Sequence, residues 1–327
     1  MIESEPVEIS RVAKWNKLNP QTLEKQYKEK LSNFREWETS VNPEALVYPE
    51  NFGEDMSMDE TTLNEGELYT IITSKEKHGR KGALAALIKG TNNQIVSKAL
   101  EAVPISKRMA VRRITVDLAN SMDWICRTNF PNAQMIGDRF HVQQVVSEGV
   151  QEIRINLRRK AIDEENELVM EARKGKYPYI AERYLNGDTK KQLLARSRHL
   201  LFKPPNKWTD SQKERSEILF QNYPQLKKAY HLSTWFRGIF ESSKSREIAE
   251  VRMNQWIEKI DKSELPTMIS ASKTVQNNIG KILNYFPDRL TNASAESFNA
   301  KLKGFRSLVR GIRDINFFLF RIHTFYS

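Results

Sequence analysis

The sequence predicts an α/β protein: a mixed five-stranded sheet with helices on its faces, interrupted by a large all-α insertion before a last core helix. Two observations predict this. Between Met56 and Asp138 short β-rich runs alternate with helical ones, in the order strand, strand, strand, helix, strand, helix, strand. Beyond Val145 the β signal is gone. Long, charged, helix-favouring stretches follow, punctuated by Pro178, Gly187, Pro204-Pro205, Pro224 and Pro266.

Residues up to about Asn51 read as a helical appendage, with a charged helix from Gln21 to Trp37 and a loop containing Pro43 and Pro49. Met56 to Thr61 is a short strand, and Leu68 to Thr73 is rich in β-formers. Lys75 to Lys81, with Gly79, reads as a turn, and Ala83 to Lys89 as the hairpin partner. Gln94 to Val103 is helical, with Ile95, Ala99 and Leu100 on one side. Val111 to Asp117 is a strand, Ser121 to Thr128 a helix, and Ala133 to Asp138 a fifth strand leading into a helix. A meander followed by right-handed crossovers makes a mixed sheet, and this order of elements is the RNase H-like arrangement. The expected domains are an appendage at 1–51, the first part of the core at 52–149, an α-helical insertion at 150–284 and a closing core segment at 285–327.

Lys and Arg exceed Asp and Glu by 52 − 41 = 11 over 327 residues, which favours a polyanionic partner such as nucleic acid. The single cysteine, Cys126, excludes a disulfide framework and a Cys-rich zinc site within this chain. Met1-Ile-Glu-Ser-Glu-Pro6 has neither the basic nor the apolar region of a signal peptide. No apolar run approaches the ~20 residues that span a bilayer. A soluble, cytoplasmic protein is expected.

Near the end of the sequence, Phe298, Leu302, Phe305, Val309 and Ile312 fall on one helical face, and Glu296, Asn299, Lys303, Arg306 and Arg310 on the other. A carboxylate in a first turn suits the helix dipole. The cations beyond it suit a polyanion lying along the helix, although the pattern alone equally describes a solvated amphipathic helix. In the insertion, Arg154 to Lys160 is a basic run that fits either a phosphate-contacting face or a solvated one.

Asp59 and Asp117 each fall at or near the C-terminal end of an expected strand. If those strands are parallel neighbours, the two carboxylates meet at the sheet edge where open α/β folds place their chemistry. Glu296, on a late helix packed against the sheet, would supply a third. Three such carboxylates make a hard-oxygen site for Mg²⁺ or Mn²⁺, and two ions ~3.5–4 Å apart would serve phosphodiester chemistry. Singly, each acid has a plainer reading: a solvated strand end for Asp59, a helix N-cap for Asp117, a dipole partner for Glu296. Asp55, Glu60 and Asp123 are nearby decoys.

Several segments in order carry a resemblance: Met58-Asp-Glu-Thr-Thr-Leu63, Gly66 to Thr70, Gly79-Arg-Lys-Gly82, Thr115-Val-Asp-Leu-Ala-Asn120, Phe130-Pro-Asn-Ala133, Asp138-Arg-Phe-His-Val142, and Leu290 to Asn299 continuing through Lys303, Gly311 and Arg313. From about Pro49 onward the chain resembles the catalytic region of insertion-sequence transposases of the DDE type, in the ISL-three family. The resemblance implies Asp59, Asp117 and Glu296 as catalytic and metal-binding triad, 58 and 179 positions apart. The wide second gap matches relatives whose core carries an α-helical insertion. It implies Mg²⁺ or Mn²⁺, as two ions, and double-stranded DNA, both element ends and target, as partner to a homo-oligomer.

Asp138 and His141 resemble an Asp-x-x-His element, though capping and packing explain them as well. Asn292 and Asn299 match family positions, and Asn299, one turn beyond Glu296, would orient that carboxylate. Lys303, Arg306, Arg310, Arg313, Arg158 and Arg159 are the expected DNA contacts. Of Trp208, Trp235 and Trp256, Trp235 is the candidate for stacking an unpaired base, with core packing the simpler role. Fuller relatives carry an N-terminal zinc-binding and helix-turn-helix region that has no counterpart before Asp59, so either a separate end-recognition protein or a truncated copy is expected. A nuclease or resolvase that only cuts, or an inactive relic that binds DNA, remain alternatives. The Glu-x-x-Asn continuation and the insertion speak against the first, the intact triad against the second.

Overall fold

The computed structural model describes residues 2–3, 5–64, 66–309 and 314–327. The chain divides into two compact units, Met1–Asp138 with Arg289–Ser327, and Arg139–Asp288. The first unit begins with α1 (Ile9–Trp15), α2 (Pro20–Gln26) and α3 (Phe34–Ser40), then β1 (Ala45–Val47), β2 (Asp55–Asn64), β3 (Glu67–Ser74) and β4 (Leu84–Lys89). It continues with α4 (Asn93–Leu100), α5 (Ile105–Ala110), β5 (Arg113–Val116), α6 (Asn120–Asn129) and β6 (Gln134–Gly137). The second unit holds α7 (Arg139–Lys174), α8 (Lys190–Arg196), α9 (Asp210–Asn222), α10 (Pro224–Ser242), α11 (Arg246–Asp261), α12 (Pro266–Asn277) and α13 (Ile279–Leu283). The chain then returns to the first unit as α14 (Ala293–Leu308) and α15 (Ile315–Tyr326).

The sheet order is β1-β4-β3-β2-β5-β6. β2, β3 and β4 form an antiparallel meander, and β5 and β6 add in parallel beside β2. Leaving out β1, this is the RNase H-like sheet that the element order implied. The sheet has six strands, not the expected five. The sixth, β1, pairs antiparallel with β4 through Leu46↔Leu87, in a segment read from sequence as loop. Three residues between Pro43 and Pro49 are too few to show a strand's alternation, yet Leu46 is only 1% exposed.

The pleat sorts side chains to two faces. Met56 and Met58 join Ile72, Ile114 and Val116 beneath Val96 and Leu100 of α4 and Met122 and Ile125 of α6. On the other face Ile71, Leu84 and Leu87 pack with Phe298, Leu302 and Phe305 of α14 and Phe317 and Phe320 of α15. The N-terminal helices are not set apart from this core: Ile9, Tyr27, Phe34 and Trp37 belong to the same cluster. The single charged helix expected from Gln21 to Trp37 is instead broken. Ser32 Oγ donates to the Tyr27 carbonyl at 2.7 Å and accepts from Phe34 N–H at 3.4 Å, ending one segment and starting the next.

The second unit is helical throughout, with no strand. α7 runs unbroken for 36 residues, so the expected boundary near residue 150 falls inside one helix. Phe236 and Trp256 pack at its core with tilted rings whose centroids are 4.5 Å apart, and Trp256 Nε1 donates to the Leu232 carbonyl at 2.8 Å. Trp208 donates to the Leu200 carbonyl at 2.8 Å and stacks on Tyr230. Trp256 is fully buried and Trp208 partly so.

Candidate active site

The parallel register builds the site. β2 and β5 pair through Ser57↔Thr115, so two residues further along each strand Asp59 and Asp117 stand side by side. β5 and β6 pair through Val116↔Gly137, so the next position sets Asp138 beside Asp117. Three aspartates thus form one row across three neighbouring parallel strands, at the level where the parallel backbone pairing stops. Asp59 is not at the end of its own strand: β2 runs on to Asn64 against β3. It stands where the parallel pairing with β5 gives out.

Hydrogen bonds fix these carboxylates. Asp59 Oδ1 accepts from Glu60 N–H at 2.8 Å, and its Oδ2 accepts from Asn299 Nδ2 at 2.8 Å. Asp117 Oδ1 accepts from Ala119 N–H at 2.7 Å. It turns the chain toward α6 without being the N-cap, which is Ala119. Asp138 N–H donates to the Val116 carbonyl at 2.8 Å, and its side chain is buried.

α14 lies against β2 on the Asp59 face, since Ile71, paired with Asp59, belongs to the cluster of Phe298 and Leu302. Of the expected apolar stripe, Phe298, Leu302 and Phe305 are buried, Val309 at the C-cap is partly buried, and Ile312 lies outside the described residues. Lys301 Nζ fastens the helix to the β3–β4 turn by donating to the Gly79 carbonyl at 3.0 Å. Gly79 holds a φ of 70°, a backbone conformation that favours glycine there.

Asn299 departs from expectation. It is buried rather than facing solvent, and it holds Asp59, not Glu296. Glu296 is exposed in the first turn of α14, with its N–H on the Asn292 carbonyl at 2.8 Å. Being three residues apart, Glu296 and Asn299 share a helix face. Asn292, at the N-cap, is 1% exposed, and neither of its amide atoms has a hydrogen-bond partner among the described residues.

Two residues that sequence reasoning passed over belong here. Burial raises the Glu60 carboxyl above its ordinary range, and the charges of Asp117 and Asp59 add to the rise. Lys75, just past β3, donates from Nζ to Thr115 Oγ1 and to the Thr291 carbonyl, the latter at 3.0 Å. Burial lowers its ammonium to about 8, against the opposing pull of Asp55 and Asp138. Lys75 therefore ties β3 and β5 to the segment that leads into α14. Nothing local in the sequence separates it from Lys77 or Lys81.

The donor chemistry fits a divalent cation. Asp59 and Asp117 offer hard carboxylate oxygens, their charges add to the burial that raises Glu60, and the buried amide of Asn292 and Asn299 Oδ1 are unsatisfied among the described residues. A ready-made cluster of three or more His, Cys, Asp or Glu side chains is absent among the described residues. Lys303 is exposed and Arg306 half-buried further along α14. Arg310 and Arg313 lie outside the described residues. In the second unit His141, Arg158 and Arg159 are carried by α7 and Trp235, 38% exposed, by α10.

A family model for DDE transposases of the ISL-three type, described as Transposase, matches residues 56–322. The chain belongs to this transposase family. The match begins inside β2 and ends inside α15, so it takes in the aspartate row, the whole helical unit and α14. No curated protein matches the chain. As a transposase it is a nucleic-acid-processing enzyme acting on DNA, and DDE transposases generally use divalent metals. Among the described residues no helix is long and apolar enough to cross a membrane.

Proposed function

We propose that this transposase cleaves DNA at the ends of an insertion sequence and joins the freed 3′-hydroxyl to target DNA, with Asp59, Asp117 and Glu296 as its catalytic carboxylates. The observation that carries the reading is the alignment of Asp59 with Asp117 across β2 and β5, with α14 fastened to Asp59 through Asn299. The shared face of Glu296 and Asn299 directs the third carboxylate toward the same edge. These residues would hold Mg²⁺ or Mn²⁺, as two ions, which when bound activate the attacking hydroxyl and stabilise the leaving oxygen.

The remaining side chains have distinct tasks. Asn299 fixes the orientation of the Asp59 carboxylate, as an outer hydrogen-bond partner does for a metal ligand. Asp138 adds negative potential to the edge, and Lys75 offsets part of it while holding Thr115 and Thr291 in place. Lys303 and Arg306 lie further along α14 to contact phosphates without reading sequence. His141 and Trp235 are further contacts to DNA from the helical unit.

A strand-transfer assay tests the proposal. An end-labelled duplex carrying the element terminus, incubated with plasmid and Mg²⁺, should yield a joined product. Release of a hydrolysed strand with no joining would reduce the activity to that of a nuclease.

A further inference from the structure

The basic run Arg154 to Lys160 lies on α7 in the helical unit. Beside it a groove of about 560 Å³ opens, lined by Arg154, Ile155, Arg158 and Arg159 of α7 and by Arg198 and Phe202 beyond α8. Arg154 forms its base. It is 6% exposed and donates from Nε to Gln151 Oε1 at 2.6 Å and from Nη1 to the Leu194 carbonyl at 3.0 Å. Burial draws its pKa down, and the neighbouring charges of Arg198 and Arg158 draw it down further.

Arg158, Arg159 and Arg198 are exposed, and none has an ion-pair partner among the described residues. Elsewhere in the same unit, Arg196 and Arg215 share the buried carboxylate of Asp188. In the groove the one acid is Glu148, which accepts from Gln144 Nε2 at 2.7 Å. Like charges one helical turn apart, as at Arg154 and Arg158, destabilise a helix. Folding alone gives no reason to gather four guanidinium groups around a cavity. An anion entering it does.

We propose that this groove is a second DNA-binding site, which takes the phosphodiester backbone of duplex DNA on Arg158, Arg159 and Arg198. It rests on the transposase reading only in naming DNA as the polyanion. Guanidinium groups pair with phosphate oxygens in bidentate fashion. Ile155 and Phe202, 39% and 37% exposed, give an apolar wall for the deoxyribose. Contacts of this kind position DNA and carry no sequence preference.

The full chain with Arg158→Gln and Arg198→Gln together should bind a random duplex more weakly than the wild type. The slope of log Kd against log salt should fall by about 1.8, since each phosphate contact contributes ~0.9. Paired Arg158→Lys and Arg198→Lys substitutions should keep most of that slope. An unchanged slope in the glutamine pair overturns the proposal. So does an equal loss in both pairs, which would report a structural effect. Inorganic triphosphate binding that the glutamine pair abolishes, with the DNA slope intact, would assign the groove to a free polyphosphate instead. Binding is measured in EDTA, so the outcome does not depend on whether the carboxylate edge cleaves DNA.

Discussion

At the edge of the sheet, Asp59, Glu60, Asp117 and Asp138 share one neighbourhood with a single lysine, Lys75. In the groove beside α7, four arginines share theirs with a single glutamate. Both regions concentrate one sign of charge against the interest of folding, but they hold it differently. The Asp59 and Asp117 carboxylates are fixed by backbone N–H groups and by Asn299. Of the arginines, only buried Arg154 is comparably held, and the other three are left to solvent. On the proposed reading, the difference follows from what each counter-ion would demand. A metal-dependent reaction needs ligands placed within a fraction of an ångström, whereas a flexible phosphate backbone needs charge within reach.

The largest expected effect separates the two regions outright. Asp59→Asn, Asp117→Asn and Glu296→Gln should each cut metal-dependent cleavage ~1000-fold or more, the scale of several kcal/mol of transition-state stabilisation, while DNA affinity persists. Asp117→Asn should also raise the melting temperature, because it removes a charge that adds to the burial-driven rise of Glu60. Robust cleavage by any one of the three variants would remove that residue from the set.

The carboxylate edge further depends on an anchored helix. Phe298 is fully buried, with its ring 4.9 Å from that of Tyr326, so Phe298→Ala should cost ~3–5 kcal/mol in urea unfolding. A cost below ~1 kcal/mol would mean that α14 is not what supports the edge. Asn299→Ala is milder: it should raise the Mg²⁺ concentration needed for half-maximal cleavage ~10–100-fold. An unshifted metal titration would leave Asn299 with a packing role alone.

Lys75 gives a pH test of the same edge. Its pKa is lowered to about 8 when folded, by burial, from 10.5. Below pH 8 it is charged in both states and its burial penalty is fully present. Between pH 8 and 10.5 the unfolded chain holds a proton that the folded chain does not, so stability from this group rises with pH. Lys75→Met should flatten that rise in melting curves, and parallel pH profiles for the two proteins would break the assignment. The smallest effects belong to the surface of α14. Lys303→Ala or Arg306→Ala should each lower the salt dependence of DNA binding by about one counter-ion, and an unchanged slope would return them to a merely solvated face.

The meander and crossovers were legible because their strands are runs of β-formers set off by turns. β1 was not, being too short to show a period. Helical periodicity found the buried stripe of α14 but misjudged Asn299. At ~100° per residue it lies about a quarter-turn from the stripe, at its border, where β2 covers it. The aspartate row depends on register between strands 58 and 21 positions apart in sequence. Local pattern cannot supply that spacing, and the aspartates were selected by resemblance to a family. Lys75 needed the folded chain, since its partners Thr115 and Thr291 are remote from it.

The core around α14 and α15 also bears on synthesis. Tyr27, Phe34 and Trp37 close against Phe317 and Phe320, and Arg321 donates to the Ile2 carbonyl at 2.8 Å, so this unit is assembled from two stretches with the helical unit translated between them. Residues 139–288 are contiguous and are complete as a segment before residues 289–327 are made. Until those arrive, the sheet lacks one apolar cover and Asp59 lacks both Asn299 and the helix that bears Glu296. On a ribosome-bound chain, α14 can therefore reach the sheet edge only after the helical unit has been made.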